Sequence, residues 1–535
     1  MKKRIFQKGL ALLMTAAMTI FSGISASAGE LSYEAVEGST QPVFVDVEGG
    51  TLAGYSYGGV NVFKGIQYAT AERFEMPQKV EPWDGIKQAM RFSEVCPQGK
   101  TTMNPNEFLN LCGEMVEKED SCLALNVWTT STDPNAKLPV LFWIHGGGYS
   151  SGASNELQIY DGYNLAQYGD VVFVSVNHRL NYLGYMDLSA YGEEFKYSGN
   201  AGMADIICAL EWVRDNIAQF GGDPNNVTIE GQSGGGSKVT TLMGMPAAKG
   251  LFHKAIIQSG GSVQATRTTE DAQADTKAVL DILGIKEDEI EKLQEIDYDV
   301  LRAACQEAKV NASPVVDGEY YPDGTFKMSA DIPIIRSTVQ CEFSSNSGGM
   351  YMGPWENEDA FYQSYLPAIS DEEVIKRYEE KYGENYQEIM DAYLKAYPSH
   401  KAVDGLYVFP RDNTLVETME EYGGTAYQCV VAYNFPMMGG IGAVHTGGDI
   451  CLFFRNTEMC DYWFAGEEEL ADEVSKTMAN AIINFCRTGN PSQEGLEWPA
   501  FTEEEGATMI FDRTSEVRNY HDKELMELMS QNQKR

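Results

Sequence analysis

One stretch of the chain, residues 226–236, constrains the fold more than any other. A short β-branched run leads into residues 231–235, which read G-Q-S-G-G and fit the pattern G-x-S-x-G around Ser233. A serine on a sharp strand-to-helix turn has a strained backbone, and flanking glycines leave room for the close approach of neighbouring segments. The pattern predicts a strand, a tight turn with an exposed hydroxyl at Ser233, and a helix.

The surrounding sequence predicts a mostly parallel α/β sheet. Residues 138–144 and 171–176 are near-continuous apolar runs, as expected for strands that are covered on both faces. Between Met203 and Phe220, apolar residues recur at three- and four-residue steps until two glycines follow, which predicts a helix. Residues 255–257 form the next strand. Strands that alternate with helices indicate a twisted parallel sheet with helices on both faces.

The outer parts of the chain complete this architecture. Alternating apolar residues in 43–69 predict antiparallel hairpin strands. Residues 332–335 and 429–433 are expected to be later strands of the sheet. The segment 344–425 between them is predicted to be an insertion, or lid, over the carboxyl end of the sheet, where open α/β sheets bind ligands. A helix that includes Met478 and Phe485 is expected to pack on the core.

The first 28 residues have the composition of an export signal. Four basic side chains precede a short apolar stretch, and Ala26-Ser27-Ala28 resembles a cleavage site. We therefore expect residues 29–535 to form a single secreted domain with no membrane attachment after cleavage. The formal net charge is −38, and it becomes −42 without the signal, which carries no acidic residue. This charge disfavours nucleic acid as a partner because phosphate would be repelled.

The cysteines and histidines do not predict a metal site. Ten cysteines are too few for a disulfide scaffold in 535 residues, although export permits disulfides. The six histidines show no spacing with cysteine that resembles a zinc site.

The residues around Ser233 suggest nucleophilic chemistry. A serine hydroxyl needs a base, a partner for that base, and donors for the developing oxyanion. The run His145-Gly-Gly-Gly148 directly follows the 138–144 strand, and its glycines leave backbone N–H groups unobstructed. We assign Gly147, Gly148 and Gly234 as the oxyanion donors. His145 is expected to hold the shape of the loop.

His445 is the predicted general base. It lies in the loop G-A-V-H-T-G-G, which follows the last predicted strand, and it comes after the serine in the chain. The remaining histidines belong to the oxyanion loop, to strand ends or to polar stretches: His145, His178, His253, His400 and His521.

The acidic partner of the base is expected between Ser233 and His445, just after a strand. Glu342 fits this position. Asp331, which precedes the strand, and Asp317 and Asp323, which lie in a turn-like segment, remain alternatives.

Together these residues resemble the type B carboxylesterases, the cholinesterase-like family of α/β-hydrolases, over nearly the whole mature chain. Residues 63–69 (F-K-G-I-Q-Y-A) resemble the family's F-x-G-I-P-Y-A, and residues 122–127 (C-L-A-L-N-V) resemble C-L-x-L-N-V. Residues 220–229 followed by Gln258-Ser-Gly260, and the C-terminal R-T-G-N-P at 487–491, are also similar to family segments.

The resemblance implies an α/β-hydrolase fold and ester hydrolysis through an acyl-enzyme, with no metal or organic cofactor. It carries the catalytic triad onto Ser233, Glu342 and His445. The oxyanion hole falls on Gly147, Gly148 and Gly234. The family's first disulfide implies a Cys96–Cys122 bond.

Four positions depart from the family pattern. Gln232 stands where the family often has glutamate, and Gly234 where it often has alanine. Glu342 lies in C-E-F rather than D-E-G. The loop between Cys96 and Cys122 lacks the tryptophan with which cholinesterases stack a cation, which argues against choline esters.

We expect a small-molecule ester as the substrate. The aromatic and Met-rich segment 350–365 favours an aryl or hydrophobic ester, although ordinary lid packing accounts for it equally well. A non-catalytic adhesion or binding protein with this fold is the alternative, as is action on amides or lactones. A decayed triad would indicate the adhesion protein, whereas every triad position is filled here.

Overall fold

A computed structural model describes residues 40–98, 115–342, 370–408, 413–436 and 447–532. The chain divides into two units, Met1–Gln41 and Pro42–Arg535, and the second is compact. Among the described residues, no helix has both the length and the apolar character needed to cross a bilayer.

The main sheet contains thirteen strands within the described residues. Its order is β1-β2-β3-β7-β9-β8-β10-β11-β12-β13-β14-β15, and β6 pairs with β2. All neighbouring pairs from β9 to β14 along this path are parallel, while the β2–β3, β3–β7, β7–β9 and β14–β15 pairs are antiparallel. The strands are β1 Gln41–Val47, β2 Gly50–Tyr57, β3 Val60–Gln67, β4 Ala69–Thr70, β5 Gln78–Lys79, β6 Ile86–Gln88, β7 Ala124–Thr129, β8 Leu138–Ile144, β9 Val172–Val176, β10 Gly222–Gln232, β11 Lys254–Gln258, β12 Ile334–Val339, β13 Ala426–Val431, β14 Ala507–Phe511 and β15 Glu516–Asn519.

Helices flank this sheet. The α-helices are α1 Tyr163–Gly169, α2 Asn181–Tyr185, α3 Ala201–Asn216, α4 Gly234–Met243, α5 Thr269–Leu283, α6 Lys292–Glu295, α7 Tyr298–Ala308, α8 Asp371–Tyr382, α9 Tyr386–Ala396, α10 Ala402–Gly405, α11 Thr414–Glu421, α12 Ile450–Phe453, α13 Glu468–Thr488 and α14 Lys523–Asn532. Short 3₁₀ helices lie at Glu119–Ser121, Gln158–Tyr160, Glu193–Phe195, Ser198–Asn200, Ile217–Phe220, Pro246–Ala248, Glu287–Glu289, Lys327–Ser329, Gly383–Asn385 and Thr457–Phe464.

The central strands confirm the α/β prediction. Strand β8 has the predicted bounds, and six of its seven residues are buried. All five residues of β9 are buried. Such burial on both faces follows from the helices that cover both sides of a parallel sheet.

The later strands differ from the prediction in their bounds. β12 begins at Ile334, two residues later than predicted. Pro333 has no N–H with which to join the ladder, which explains the shift. β13 begins at Ala426, three residues earlier than predicted.

The described part of the predicted insertion packs on the sheet. Helices α8 and α9 contribute tyrosines to a buried cluster that also contains Val430 of β13, Ile510 of β14 and Leu525 of α14. Residues 344–369 and 409–412 of the predicted insertion lie outside the described residues.

Candidate active site

Ser233 occupies a strained turn between β10 and α4. Its backbone has φ = 55° and ψ = −121°, a combination that L-residues rarely adopt. The Ser233 N–H donates to the Gln258 carbonyl on β11, at 2.8 Å. Ser233 is half-buried, whereas Gln232 and Gly234 on either side are buried. The turn therefore presents the serine at the carboxyl end of the sheet.

The glycines of this turn are required by close backbone contacts. A Cβ atom at position 231 would lie 2.3 Å from the carbonyl carbon of Gly235. A Cβ atom at position 235 would lie 2.1 Å from the Ile144 carbonyl oxygen at the end of β8. Neither site has space for a side chain, so the spacing of the motif follows from the packing of α4 against β8 and β10.

The glycine-rich loop after β8 contacts this turn. Gly147 and Gly148 have φ values of 85° and 63°, in the region that favours glycine. A Cβ atom at Gly146 would lie 3.5 Å from the Cβ atom of Ser233, and one at Gly234 would lie 2.3 Å from the amide nitrogen of Gly148. The structure thus brings together Ser233 and the loop that contains the predicted donors.

Glu342 lies three residues beyond the end of β12. It is buried, and its Oε1 accepts a hydrogen bond from the Val339 N–H at 3.3 Å. The alternatives are placed differently. Asp331 is exposed and precedes β12, at the opposite end of the strand from Glu342. Asp317 and Asp323 accept hydrogen bonds from backbone amides of their own turns. This placement favours Glu342 over its rivals as the acid.

His445 lies outside the described residues. The other histidines are placed as follows: His145 and His178 are buried at the ends of β8 and β9, His253 lies before β11, buried His400 contacts Asp512 through its ring nitrogen at 3.0 Å, and His521 follows β15. His445 therefore remains the predicted base.

Comparison with known proteins places this site in a family. The model of the carboxylesterase family matches residues 41–529. The chain belongs to the carboxylesterase family. As such it is a serine hydrolase that acts on carboxylic esters, which confirms the resemblance seen in the sequence.

Individual relatives support this assignment over about nine-tenths of the chain. The para-nitrobenzyl esterase of Bacillus subtilis (strain 168) is 33% identical over 500 residues, which is 89% of this chain and 96% of that protein. Phenmedipham hydrolase of Pseudarthrobacter oxydans is 29% identical, with coverage of 89% and 97%. A solved esterase of the anaerobic Clostridium hathewayi, reported to hydrolyse aliphatic aromatic polyesters, has a TM-score of 0.81 and 38% identity over 92% of this chain and all of that one.

Two buried carboxyl groups of this carboxylesterase were not anticipated from the sequence. Glu230 on β10 and Asp449 before α12 are fully buried. The carboxylate oxygens of Glu230 have no hydrogen-bond partner among the described residues, whereas the backbone N–H groups of Gly447 and Asp449 lie near the Asp449 carboxyl group. Burial raises the pKa of each carboxyl group to about 8. The charge of Asp449 contributes to the raised pKa of Glu230, and the charge of Glu342 contributes to the raised pKa of Asp449. Asp449 thus interacts with Glu230 on one side and with Glu342 of the predicted triad on the other. In the part of the chain described, no group of three or more His, Cys, Asp or Glu side chains is arranged to hold a metal ion.

The buried Glu230 should make stability fall as pH rises. The folded protein retains a proton on Glu230 up to about pH 8, whereas the unfolded chain releases it near pH 4.5, so folding becomes less favourable across this window. We expect Glu230→Gln to raise the midpoint of thermal unfolding at pH 8 by about 3 °C, with little change at pH 4.5. Midpoints measured from pH 4.5 to 8 check this. The thermal midpoint of the exposed Glu497→Gln variant should depend on pH as that of the wild type does. If the midpoint of Glu230→Gln also changes with pH as steeply as that of the wild type, Glu230 does not have the raised pKa assigned to it.

The structure does not contain the disulfide predicted between Cys96 and Cys122. Both are buried and both are free thiols, so the predicted disulfide is not formed in the structure. The Cys122 thiol donates to the Glu119 carbonyl at 3.5 Å, and the nearby Cys96 thiol, together with burial, raises the pKa of Cys122 well above its ordinary value. The Leu180 N–H also donates to the Cys96 sulfur at 3.4 Å.

Proposed function

We propose that this protein is a secreted serine carboxylesterase that hydrolyses carboxylic esters through an acyl-enzyme on Ser233. Membership of the carboxylesterase family supports the reaction class. One structural observation carries the choice of nucleophile. Ser233 sits on a strained turn whose neighbour, Gly234, lies against the backbone of Gly148.

The proposed reaction follows from this arrangement. The Ser233 hydroxyl attacks the ester carbonyl carbon while His445 takes its proton, and Glu342 orients His445. The N–H groups of Gly147, Gly148 and Gly234 donate to the oxyanion. The bond to the alcohol oxygen then breaks, and His445 returns the proton to the leaving alcohol. Water repeats the sequence and releases the acid, so that Ser233 is regenerated.

Labelling with a fluorophosphonate tests the nucleophile. The probe phosphonylates an activated serine, so we expect one adduct, which peptide mass spectrometry assigns to Ser233. Heat-unfolded protein is the control and should not react. An adduct at another residue would contradict the proposal.

We propose aryl and hydrophobic esters as the substrate class. Two relatives support this choice: one is named a para-nitrobenzyl esterase, and the other is reported to hydrolyse aliphatic aromatic polyesters. The segment 350–365, which suggested the same class, lies outside the described residues. A panel of para-nitrophenyl and alkyl esters, compared with acetylcholine, tests it. The same assay addresses the adhesion alternative, because a binding protein would leave every ester of the panel intact.

Export and a Cys96–Cys122 bond form a further proposal. Residues 1–28 have the composition of a signal, and the two buried thiols lie near each other. A bond that closes a loop of this length should stabilise the fold by about 3–4 kcal/mol. We expect protein purified from the culture medium to begin at Gly29 and to resist alkylation at both cysteines until it is reduced. Retention of residues 1–28 would contradict cleavage of an export signal. Alkylation of both cysteines without reduction would contradict the Cys96–Cys122 bond.

A further inference from the structure

A buried lysine links the helix that follows Ser233 to the glycine-rich loop. Lys238 lies five residues after the serine, on α4, and has no exposed surface. Its Nζ donates to the carbonyl oxygen of His145 at 3.1 Å. This carbonyl belongs to the peptide bond that His145 shares with Gly146, so the bond joins α4 to the first peptide of the glycine-rich loop.

The surroundings of Lys238 provide one charged partner. Burial lowers the pKa of Lys238 to about 7, and the charge of Glu156, which lies after the loop and is 4% exposed, opposes this shift. Burial likewise raises the pKa of Glu156 to about 7. The imidazole rings of His145 and His178 are stacked with centroids 5.0 Å apart, and burial, with a smaller contribution from Lys238, holds the pKa of both well below the ordinary range. His145 and His178 are therefore neutral, which leaves Glu156 as the acidic group that favours the ammonium form of Lys238.

Stability alone gives little reason to keep a lysine at this position. Removing an ammonium group from water costs several kcal/mol, and a buried ion pair is often no more stabilising than apolar side chains of similar volume. Lys238 nevertheless bonds to the first peptide of the loop that carries the predicted oxyanion donors. An arrangement of fixed dipoles and charges in this place acts on the charge that develops in the transition state.

We propose that Lys238, whose ammonium form Glu156 favours, is a positioning residue that fixes the glycine-rich loop relative to Ser233 through its hydrogen bond to the His145 carbonyl. Lys238 does not touch the substrate. It acts through the His145 carbonyl, which belongs to the peptide that precedes the predicted donors Gly147 and Gly148. This inference rests on the proposed function of Ser233.

The test compares Lys238→Met, which removes the donor and the charge at nearly constant length, with Lys238→Arg, which retains both. Each variant is measured per active site titrated with fluorophosphonate, using a para-nitrophenyl ester and a trifluoromethyl ketone that forms a tetrahedral oxyanion on serine. We expect kcat/KM of Lys238→Met to fall about 10- to 100-fold, mostly in kcat, and its ketone Ki to rise by the same factor. Lys238→Arg should recover part of both losses, and the exposed Lys249→Met should match the wild type.

A merely structural lysine gives a different result. In that case Lys238→Met would lower the thermal midpoint and the fraction of titratable sites, while kcat/KM and ketone Ki per active site stay unchanged, and the proposal would be wrong. If Lys238→Met does not fold, Glu156→Gln provides the test, because it leaves the lysine in place. This variant should lower kcat/KM and raise the ketone Ki in parallel by a few-fold. Unchanged values of both would also refute the proposal. A wild-type enzyme that fluorophosphonate does not label at Ser233 would instead refute the proposed function itself.

Discussion

Replacement of Ser233 by alanine is expected to lower kcat/KM for a para-nitrophenyl ester by about 10⁴- to 10⁶-fold. The loss is large because no acyl-enzyme can form, and the remaining base and oxyanion donors then act only on water. The fold should persist, because alanine retains the Cβ atom and the Ser233 N–H still donates to the Gln258 carbonyl.

The measurement needs a control for this substitution and for contaminating esterases. Ser237→Ala removes a hydroxyl from the first turn of the same helix, where Oγ accepts only a long hydrogen bond, 3.4 Å, from the Gly261 N–H. It should keep activity near that of the wild type. Purified Ser233→Ala with more than about one per cent of wild-type turnover, and no fluorophosphonate-reactive contaminant, would show that another residue is the nucleophile.

The sequence was sufficient to predict the strand and the turn that position Ser233, because both produce local sequence patterns. An apolar run predicted the bounds of β8, and residues 231–235 predicted the turn at Ser233. Both depend on contacts within a few residues or on backbone geometry that only glycine permits.

The buried charges could not be predicted in the same way. Glu230 lies in a β-branched run, and its burial depends on the register that places it beside Trp143 of β8 and Ile256 of β11. Lys238 gives only a weak signal, a lysine on a short apolar helix, and its partner Glu156 comes from a distant segment. Desolvation and pairing are properties of the assembled fold, so the sequence gives no indication of which charged residues are buried.

The relation between Gly234 and Gly148 also emerged only from the structure. The sequence showed glycine where the family often has alanine, and we expected its N–H to donate in either case. In the fold, a Cβ atom at position 234 would lie 2.3 Å from the amide nitrogen and 2.4 Å from the carbonyl oxygen of Gly148. This glycine therefore sets how closely the oxyanion loop approaches the serine turn.

Gly234→Ala is accordingly expected to reduce kcat/KM by about 10²- to 10³-fold, the cost of losing one oxyanion donor. The added methyl group must displace the backbone of Gly148, because backbone atoms cannot rotate away as a flexible side chain does. Displacing this backbone should cost about 1–3 kcal/mol of stability, as overpacking does elsewhere, and the helix preference of alanine over glycine, about 0.5–1 kcal/mol, offsets only part of that cost. Activity is therefore measured per active site titrated with fluorophosphonate, well below the thermal midpoint of the variant, which separates a displaced donor from general unfolding.

Gly236→Ala is the matched control, since it makes the same substitution two residues later in α4. A Cβ atom there would lie 3.2 Å from its nearest neighbours, which need to move by only a few tenths of an ångström. We expect a loss of about 10-fold or less in kcat/KM, against the far larger loss for Gly234→Ala. Trifluoromethyl ketone binding to both variants completes the comparison, because only a displaced Gly148 amide weakens the oxyanion complex. If Gly234→Ala binds the ketone as tightly as the wild type does, the Gly148 N–H does not donate to the oxyanion from the position that the structure gives it.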